Sequence, residues 1–121
     1  MIELKVYAHE YEAKLPSVIE IDGRSGANDL TNLFGEAQKF KNPKASALLL
    51  ELIPYAVGKH DWVADFFLGS GTTIHALMRL NRKTNLQLRW LGVEASRNFE
   101  MLIVPRLKKA AFSQEWLKGR P

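Results

Sequence analysis

The stretch that decides the fold is Val63-Ala64-Asp65-Phe66-Phe67-Leu68-Gly69-Ser70-Gly71-Thr72-Thr73. It begins as an apolar run with one acid near its end, breaks at the glycines, and continues with apolar residues at positions 74, 77 and 78. An apolar run, a glycine turn and then helical periodicity predict a buried strand, a tight turn and a helix. Such a turn brings backbone N–H groups and a helix N-terminus close to a polar ligand.

The chain has 121 residues, of which 46% are hydrophobic, and this is enough apolar material to bury the core of one domain or of a piece of one. We expect residues 1–121 to form a single domain. Residues 1–21 are a candidate remnant of a preceding region, because their two strand-like runs, 2–7 and 17–21, carry no motif. The chain has no long apolar run, no signal-peptide pattern and no Cys, so we expect a cytoplasmic protein that contacts no membrane.

The charge of the chain is unevenly distributed. Residues 1–60 carry seven Lys and Arg against eight Asp and Glu, whereas residues 61–121 carry ten against five. A basic half is compatible with a polyanion such as DNA, although a solvated basic face explains the same charge. The histidines at positions 9, 60 and 75 have no ligand spacing, so no metal site is predicted.

The elements around the glycine turn predict an α/β arrangement. Residues 62–94 read as strand, turn, helix and strand, which is typical of a parallel pair joined by a crossover helix. Ligands of such sheets bind at the carboxyl ends of the strands, where Asp65 and Glu94 stand. The predicted strands are 62–67 and 89–94, and the predicted flanking helices lie near 44–57, 72–82 and 98–109.

Smaller features set the limits of the helices. A short helix is predicted from Leu30 to Phe34, capped by Asp29 or Ser25 and ended by Gly35. Pro54 and Pro105 should kink or end the helices that contain them. Phe112 and Trp116 are expected to anchor the basic tail.

The ligand of the turn can be narrowed from the residue types. The distance of 23 positions from Gly71 to Glu94 suits an acid that accepts hydrogen bonds from ribose hydroxyls. Ile74 stands where a dinucleotide fingerprint needs a small residue, and no Lys precedes Thr72 as a phosphate loop requires. Asp65 would repel a pyrophosphate but attract a cationic sulfonium. S-adenosylmethionine fits this description, and a nicotinamide nucleotide remains an alternative.

The stretch also resembles a known motif. Residues 65–73 resemble the cofactor motif D-P/F-F-x-G-S-G-T-T of amino-group DNA methyltransferases, and the flanking segments resemble the modification subunits of type III restriction systems in collinear order. These segments are 33–35, 42–44, 48–53, 92–94, 105–109 and 116–121. Ala45 departs from the family, which commonly has Pro there. The resemblance implies a partial Rossmann-like fold of S-adenosylmethionine-dependent methyltransferases, with a parallel sheet and flanking helices.

The resemblance also implies site residues. Those of the motif that would hold S-adenosylmethionine are Asp65, Phe66, Phe67, Gly69, Ser70, Gly71, Thr72 and Thr73. Glu94 would hold the ribose, and Lys44 with its neighbours Pro43 and Ser46 would close over the methionine end. Three plainer interpretations stay open: Asp65 as a cap of the turn, Glu94 as a solvated strand end, and Lys44 as a surface lysine.

One part of the family pattern is missing. These enzymes orient the target amino group and stack the flipped base with an Asp/Asn-Pro-Pro-Tyr/Phe/Trp loop, and this sequence has no Pro-Pro. We therefore predict no catalytic residue and expect the C-terminal, cofactor-binding part of an adenine-N6 or cytosine-N4 enzyme, with adenine favoured. It would be a truncated product, an excised domain or one half of a split enzyme, and inactive alone.

The missing loop also determines the partners that we expect. They are DNA, in a complete enzyme, and a second polypeptide carrying the loop, or a homo-oligomer. The alternative is a non-catalytic remnant or assembly subunit that pairs with another chain and covers the open edge of an incomplete sheet.

Overall fold

The computed structural model describes residues 15–37, 40–113 and 115–121. The predicted strand 2–7 lies outside these residues. The described elements are α1 (Ser25–Phe34), α2 (Ser46–Leu52), a 3-10 turn (Ile53–Tyr55), β1 (Trp62–Asp65), α3 (Thr72–Lys83), β2 (Arg89–Gly92), a π-helical turn (Phe99–Ile103) and α4 (Val104–Phe112).

The centre of the fold is a parallel pair of strands. β1 and β2 pair with Trp62 opposite Arg89 and Asp65 opposite Gly92, and α3 connects them. The strands are shorter than the predicted 62–67 and 89–94, because the chain begins to turn after Asp65. Two backbone hydrogen bonds continue the pairing beyond the strand ends, from the Val93 N–H to the Asp65 carbonyl at 2.9 Å and from the Leu68 N–H to the Val93 carbonyl at 3.0 Å. The predicted mixture of helices with a parallel sheet is therefore present.

The apolar face of α3 covers one face of the sheet. Leu77 and Leu80 of α3 form a buried cluster with Leu88, and Val63 of β1 packs against it. This explains the 3.6-residue spacing of apolar side chains in the helix, because only one side of the helix meets the sheet. A second cluster joins Leu68, at the turn, to Ile74 of α3 and to Ile103 of the π-helical turn. The carboxyl end of β1 is thereby fixed between two elements.

Helix α1 is longer than predicted but ends where expected. Gly35 takes a left-handed φ of 83°, and its N–H donates to the Thr31 carbonyl at 2.8 Å. The start was wrong, because the helix begins at Ser25 and not at Leu30. The Asp29 carboxylate does not cap it but accepts a hydrogen bond from the Ser46 N–H at 2.8 Å, and so ties α1 to α2.

Both interior prolines interrupt their helices, as predicted. Helix α2 ends at Leu52 and Pro54 lies in the 3-10 turn that follows, so the predicted helix 44–57 is shortened. Pro105 lies in the first turn of α4, directly after the π-helical turn in which the Val104 N–H donates to the Phe99 carbonyl. Since proline has no N–H to continue the ladder, the change in helix type falls beside it.

Two further predictions were wrong. Residues 17–21 form no strand in the structure, since no described strand lies beside them to complete a ladder. Phe112 is 88% exposed and anchors nothing, whereas Trp116 is half-buried and donates from its indole N–H to the Lys109 carbonyl at 3.1 Å. Within the described ranges, no helix has the length and apolar character needed to cross a membrane.

Candidate functional site

The turn after β1 depends on its glycines. Gly69 and Gly71 have φ angles of +56° and +77°, in the left-handed region that glycine adopts without steric cost. A Cβ atom on Gly71 would also lie 3.2 Å from Cγ2 of Ile103. Backbone conformation and close packing both exclude a side chain there, so the loop lies directly on the π-helical turn.

Asp65 holds the turn together from the end of β1. Its Oδ1 accepts from the Phe67 N–H at 3.0 Å, and its Oδ2 accepts from the Thr73 hydroxyl at 2.6 Å. Asp65 therefore caps the turn, which is one of the interpretations that the sequence left open. A carboxylate has about four acceptor positions, so these two bonds leave capacity for a ligand.

Glu94 reaches the same turn from the end of the neighbouring strand. Its Oε2 accepts from the Gly69 N–H at 2.8 Å, and its Oε1 accepts from the Ser96 N–H at 2.9 Å. Hydrogen bonds from Ser96 and then from Gly69 lower the pKa of Glu94, because they favour the ionised carboxylate. The side chain is not a free strand end but a charged acceptor directed at the glycine turn.

A buried arginine supports the loop from below. Arg106 of α4 is 0% exposed, and its Nη1 donates to the Ser70 carbonyl at 2.9 Å and to the Thr72 hydroxyl at 3.0 Å. Its Nε donates to Nδ1 of His75 at 3.3 Å. Burial lowers the pKa of Arg106 to about 10 while Asp29 raises it, so the guanidinium stays charged at neutral pH.

The turn closes over a cavity of about 340 Å³, a size that ligand pockets commonly have. Lys44 forms part of its wall, and the Lys44 carbonyl accepts from the Thr72 hydroxyl at 3.2 Å. The cavity is lined by Phe40, Lys41, Asn42, Lys44, Leu49, Asp65, Phe67, Leu68, Gly69, Ser70, Thr72 and Thr73.

Seven of the predicted site residues thus meet around one cavity: Lys44, Asp65, Phe67, Gly69, Ser70, Thr72 and Thr73. The remaining five are not part of its lining. Gly71 is part of the turn but packs against Ile103, Glu94 contacts the turn through the Gly69 N–H, and Phe66 is 61% exposed. Pro43 lines an adjoining cavity of about 450 Å³.

Ser46 lies apart from the cavity that its neighbour Lys44 lines. It is buried, and its hydroxyl accepts from Nη1 of Arg79 at 2.8 Å. Its backbone N–H donates to Asp29, so both polar groups of Ser46 join helices to one another.

The predicted site residues did not include five that line the cavity, nor Arg106, which supports the turn; the five are Phe40, Lys41, Asn42, Leu49 and Leu68. Phe40 packs over the turn, where a Cβ on Gly69 would lie 3.3 Å from its Cζ. Arg106 carried a signal that could have been used: it lies three residues after Ile103 and four before Ala110, both fully buried, and so on the same helical face. A charged residue on a buried helical face indicates that its charged group is hydrogen-bonded or paired inside the protein.

The sequence matches a family model described as DNA methylase over residues 8–104, and the chain belongs to this family. Among curated proteins it is similar to the type III restriction-modification enzyme EcoP15I Mod subunit of Escherichia coli, with 45% identity over 95 residues. It is also similar to the StyLTI Mod subunit of Salmonella typhimurium, with 45% identity over 60 residues, and to the EcoPI Mod subunit of Escherichia phage P1, with 39% identity over 64 residues.

The aligned segments cover at least half of this chain but only a small part of each relative. They include 78%, 50% and 53% of this chain, in the order given, but only 15%, 9% and 10% of the respective relatives. The chain therefore corresponds to a small part of a much longer protein in each case.

Proposed function

We propose that this chain is the S-adenosylmethionine-binding portion of a site-specific DNA methyltransferase, with adenine N6 as the favoured target. One observation carries the proposal. Two carboxylates, Asp65 and Glu94, stand at the ends of adjacent parallel strands and accept hydrogen bonds from backbone N–H groups of one glycine turn, which lines a cavity. Membership of the DNA methylase family supports the choice of ligand.

The charges of the site suit this ligand. S-adenosylmethionine carries a sulfonium and an amino group, and Asp65 offers the remaining lone pairs of an anion at the cavity wall. Glu94, whose pKa is lowered, is ready to accept from ribose hydroxyls beside Gly69. When bound, the cofactor supplies the electrophilic methyl group, and the residues of this chain hold and orient it.

We also propose that β1, α3 and β2 belong to a Rossmann-like sheet of which this chain holds only a part. The parallel pair with its crossover helix supports this, as does a ligand cavity at the carboxyl ends of the strands. Residues 1–121 would act as one cofactor-binding unit, with 1–21 as a remnant of a preceding region.

Calorimetric titration of the purified chain with S-adenosylmethionine tests the proposal. The wild type should bind, and Asp65→Ala should weaken binding by about tenfold or more, because it removes a charge and two bonds of the turn. Asp61→Ala is the matched control, since the Asp61 carboxylate also accepts from a backbone N–H in a turn, that of Gly58 at 2.7 Å, but does not line the cavity. Absence of heat at millimolar ligand would contradict the proposal.

We further propose that the chain does not methylate DNA alone, because its sequence contains no Pro-Pro loop to orient the target amino group. In a complete enzyme, DNA and a polypeptide carrying that loop would be its partners. Labelled methyl transfer from S-adenosylmethionine to unmethylated DNA should stay at background with the chain alone. Incorporation above background would refute this.

A second function is favoured by the outer face of the sheet. On the side away from α3, Trp62 and Leu91 are 63% and 52% exposed, and the described sheet has only two strands. An open edge and an exposed apolar face are features of a subunit that pairs with another chain. A non-catalytic assembly subunit would show the association without the binding heat, so light scattering together with calorimetry separates the two functions.

A further inference from the structure

The buried guanidinium of Arg106 has an unusual set of partners. Its described acceptors are the Ser70 carbonyl, the Ser70 and Thr72 hydroxyls, and His75 Nδ1, all of them uncharged. Burying a cation whose direct acceptors are all neutral is costly unless its donors make well-formed hydrogen bonds. All three acceptors of Nη1 belong to Ser70 and Thr72 of the glycine turn, so this group binds the loop directly.

We propose that Arg106 is a positioning residue that holds the glycine turn in its ligand-ready conformation and couples it to the Lys44 segment. This inference rests on the proposed cofactor site. The Ser70 carbonyl and the Thr72 hydroxyl are both held by Nη1, at 2.9 and 3.0 Å. One rigid group therefore spans the two residues that flank Gly71, one of the two left-handed glycines of the turn.

The hydroxyl protons show how the coupling continues. Thr72 donates its only hydroxyl proton to the Lys44 carbonyl, at 3.2 Å. The 2.9 Å contact between the Ser70 and Thr72 hydroxyls must then be donated by Ser70. Arg106 therefore stands at the head of a chain of donors that runs through Ser70 and Thr72 to the Lys44 backbone on the far wall of the cavity.

His75 fixes the guanidinium from the other side. Its Nδ1 accepts from Nε of Arg106 at 3.3 Å, while Nη1 points to the turn. A planar guanidinium with donors on several edges fits this arrangement, and an ammonium, a single point charge, does not. The geometry therefore requires arginine and not merely a positive charge.

Hydrogen exchange on the 121-residue chain tests the proposal without any ligand. Arg106→Met should speed exchange of the Gly69 and Gly71 amides by about tenfold or more relative to amides in the middle of α3. Arg106→Lys, which keeps the charge and the stem, should give an intermediate effect and keeps the test usable if the Met variant unfolds.

Two controls separate positioning from general stability. Leu80→Ala removes buried apolar contacts of α3 and should speed exchange in the helix and the turn alike. Arg82→Met removes an arginine that also donates to backbone carbonyls, those of Ala111 and Ser113, but lies outside the cavity, and should leave the turn unchanged.

The inference is overturned if neither Arg106 variant speeds exchange at the turn, or if both speed it no more than exchange in α3. Titration with S-adenosylmethionine then distinguishes the two proposals. A wild type that binds, with Arg106→Met at least about tenfold weaker, supports both. A wild type that does not bind refutes the cofactor site, while the exchange comparison still decides the role of Arg106.

Discussion

At the scale of single residues, Gly92 is placed where no side chain fits. A Cβ there would lie 2.5 Å from Cδ1 of Leu68 and 2.7 Å from Cδ1 of Ile74. Gly92→Ala should therefore lower the free energy of unfolding by about 1–3 kcal/mol, as overpacking of a core does. Urea denaturation measures this, with Gly23→Ala as control, because nothing lies within 4 Å of a Cβ at Gly23. Equal stability of the two variants would contradict the packing described.

His75 makes stability depend on pH. Burial and then the charge of Arg106 lower the pKa of His75 from 6.5 to about 4, with smaller effects from Arg79, Arg82 and Asp29. The unfolded chain therefore binds a proton more readily between pH 6.5 and pH 4. The stabilising effect of neutral His75 is complete above about pH 6.5 and is lost as the pH falls to 4, by roughly 3 kcal/mol in total.

The measurement compares urea midpoints at pH 7 and pH 4.5 for the wild type and His75→Asn. The Asn amide oxygen can accept from Arg106 as Nδ1 does, but it does not titrate. The Asp and Glu carboxylates affect the pH dependence of stability equally in both proteins, so the difference between the two pH profiles isolates His75. Parallel profiles would show that His75 is protonated as easily in the folded chain as in the unfolded one.

At the scale of elements, Trp116 and not Phe112 joins the basic tail to α4. Trp116 donates to the Lys109 carbonyl, and the Lys109 ammonium lies 4.4 Å from the centre of the Trp116 ring. We expect Trp116→Ala to cost roughly 1–3 kcal/mol in unfolding free energy, and Phe112→Ala less than about 0.5 kcal/mol. Thermal or urea unfolding decides this, and a larger effect of Phe112→Ala would reverse the assignment.

Elements with a strong local signal were predictable from the sequence. The apolar run, the paired glycines and the restart at helical spacing predicted β1 and α3, and α3 starts at Thr72 and ends one residue after the predicted 82. Gly35 and the two prolines set helix ends through backbone constraints that need no partner. Strand 17–21 failed because a strand also requires a neighbour, which no local pattern supplies.

The site was predictable in part, for a similar reason. Seven of the twelve expected residues line one cavity, because a continuous motif keeps its members together in space. Ser46 does not, since the sequence alone cannot tell which side of a helix start faces the ligand and which faces Arg79. Arg106 was missed because its partners lie more than 30 positions earlier in the chain.

At the scale of the whole molecule, the uncovered face of the sheet should govern association. Trp62 and Leu91 lie exposed on it, and both strands have an open edge among the described residues. We expect multi-angle light scattering to show a molar mass that rises with protein concentration above the 13.7 kDa of one chain. Leu91→Lys should shift the chain to the monomer while leaving its free energy of unfolding within about 0.5 kcal/mol of the wild type.

The matched substitution is Leu117→Lys, at a residue that is 67% exposed and lies in the C-terminal tail, outside both strands of the sheet. It should leave the molar mass unchanged. A wild type that stays monomeric at every concentration would count against pairing through this face.

The contact between α4 and the glycine turn has a consequence for biosynthesis. A ribosome makes the chain from its N-terminus, so residues 65–73 emerge and can begin to fold well before Arg106 has been added. Until then the Ser70 carbonyl and the Thr72 hydroxyl lack the guanidinium that holds them in the finished protein. A nascent chain that stops before position 106 would carry the whole motif and still lack the guanidinium hydrogen bonds to Ser70 and Thr72, so we expect its glycine turn to be less well ordered than in the finished chain.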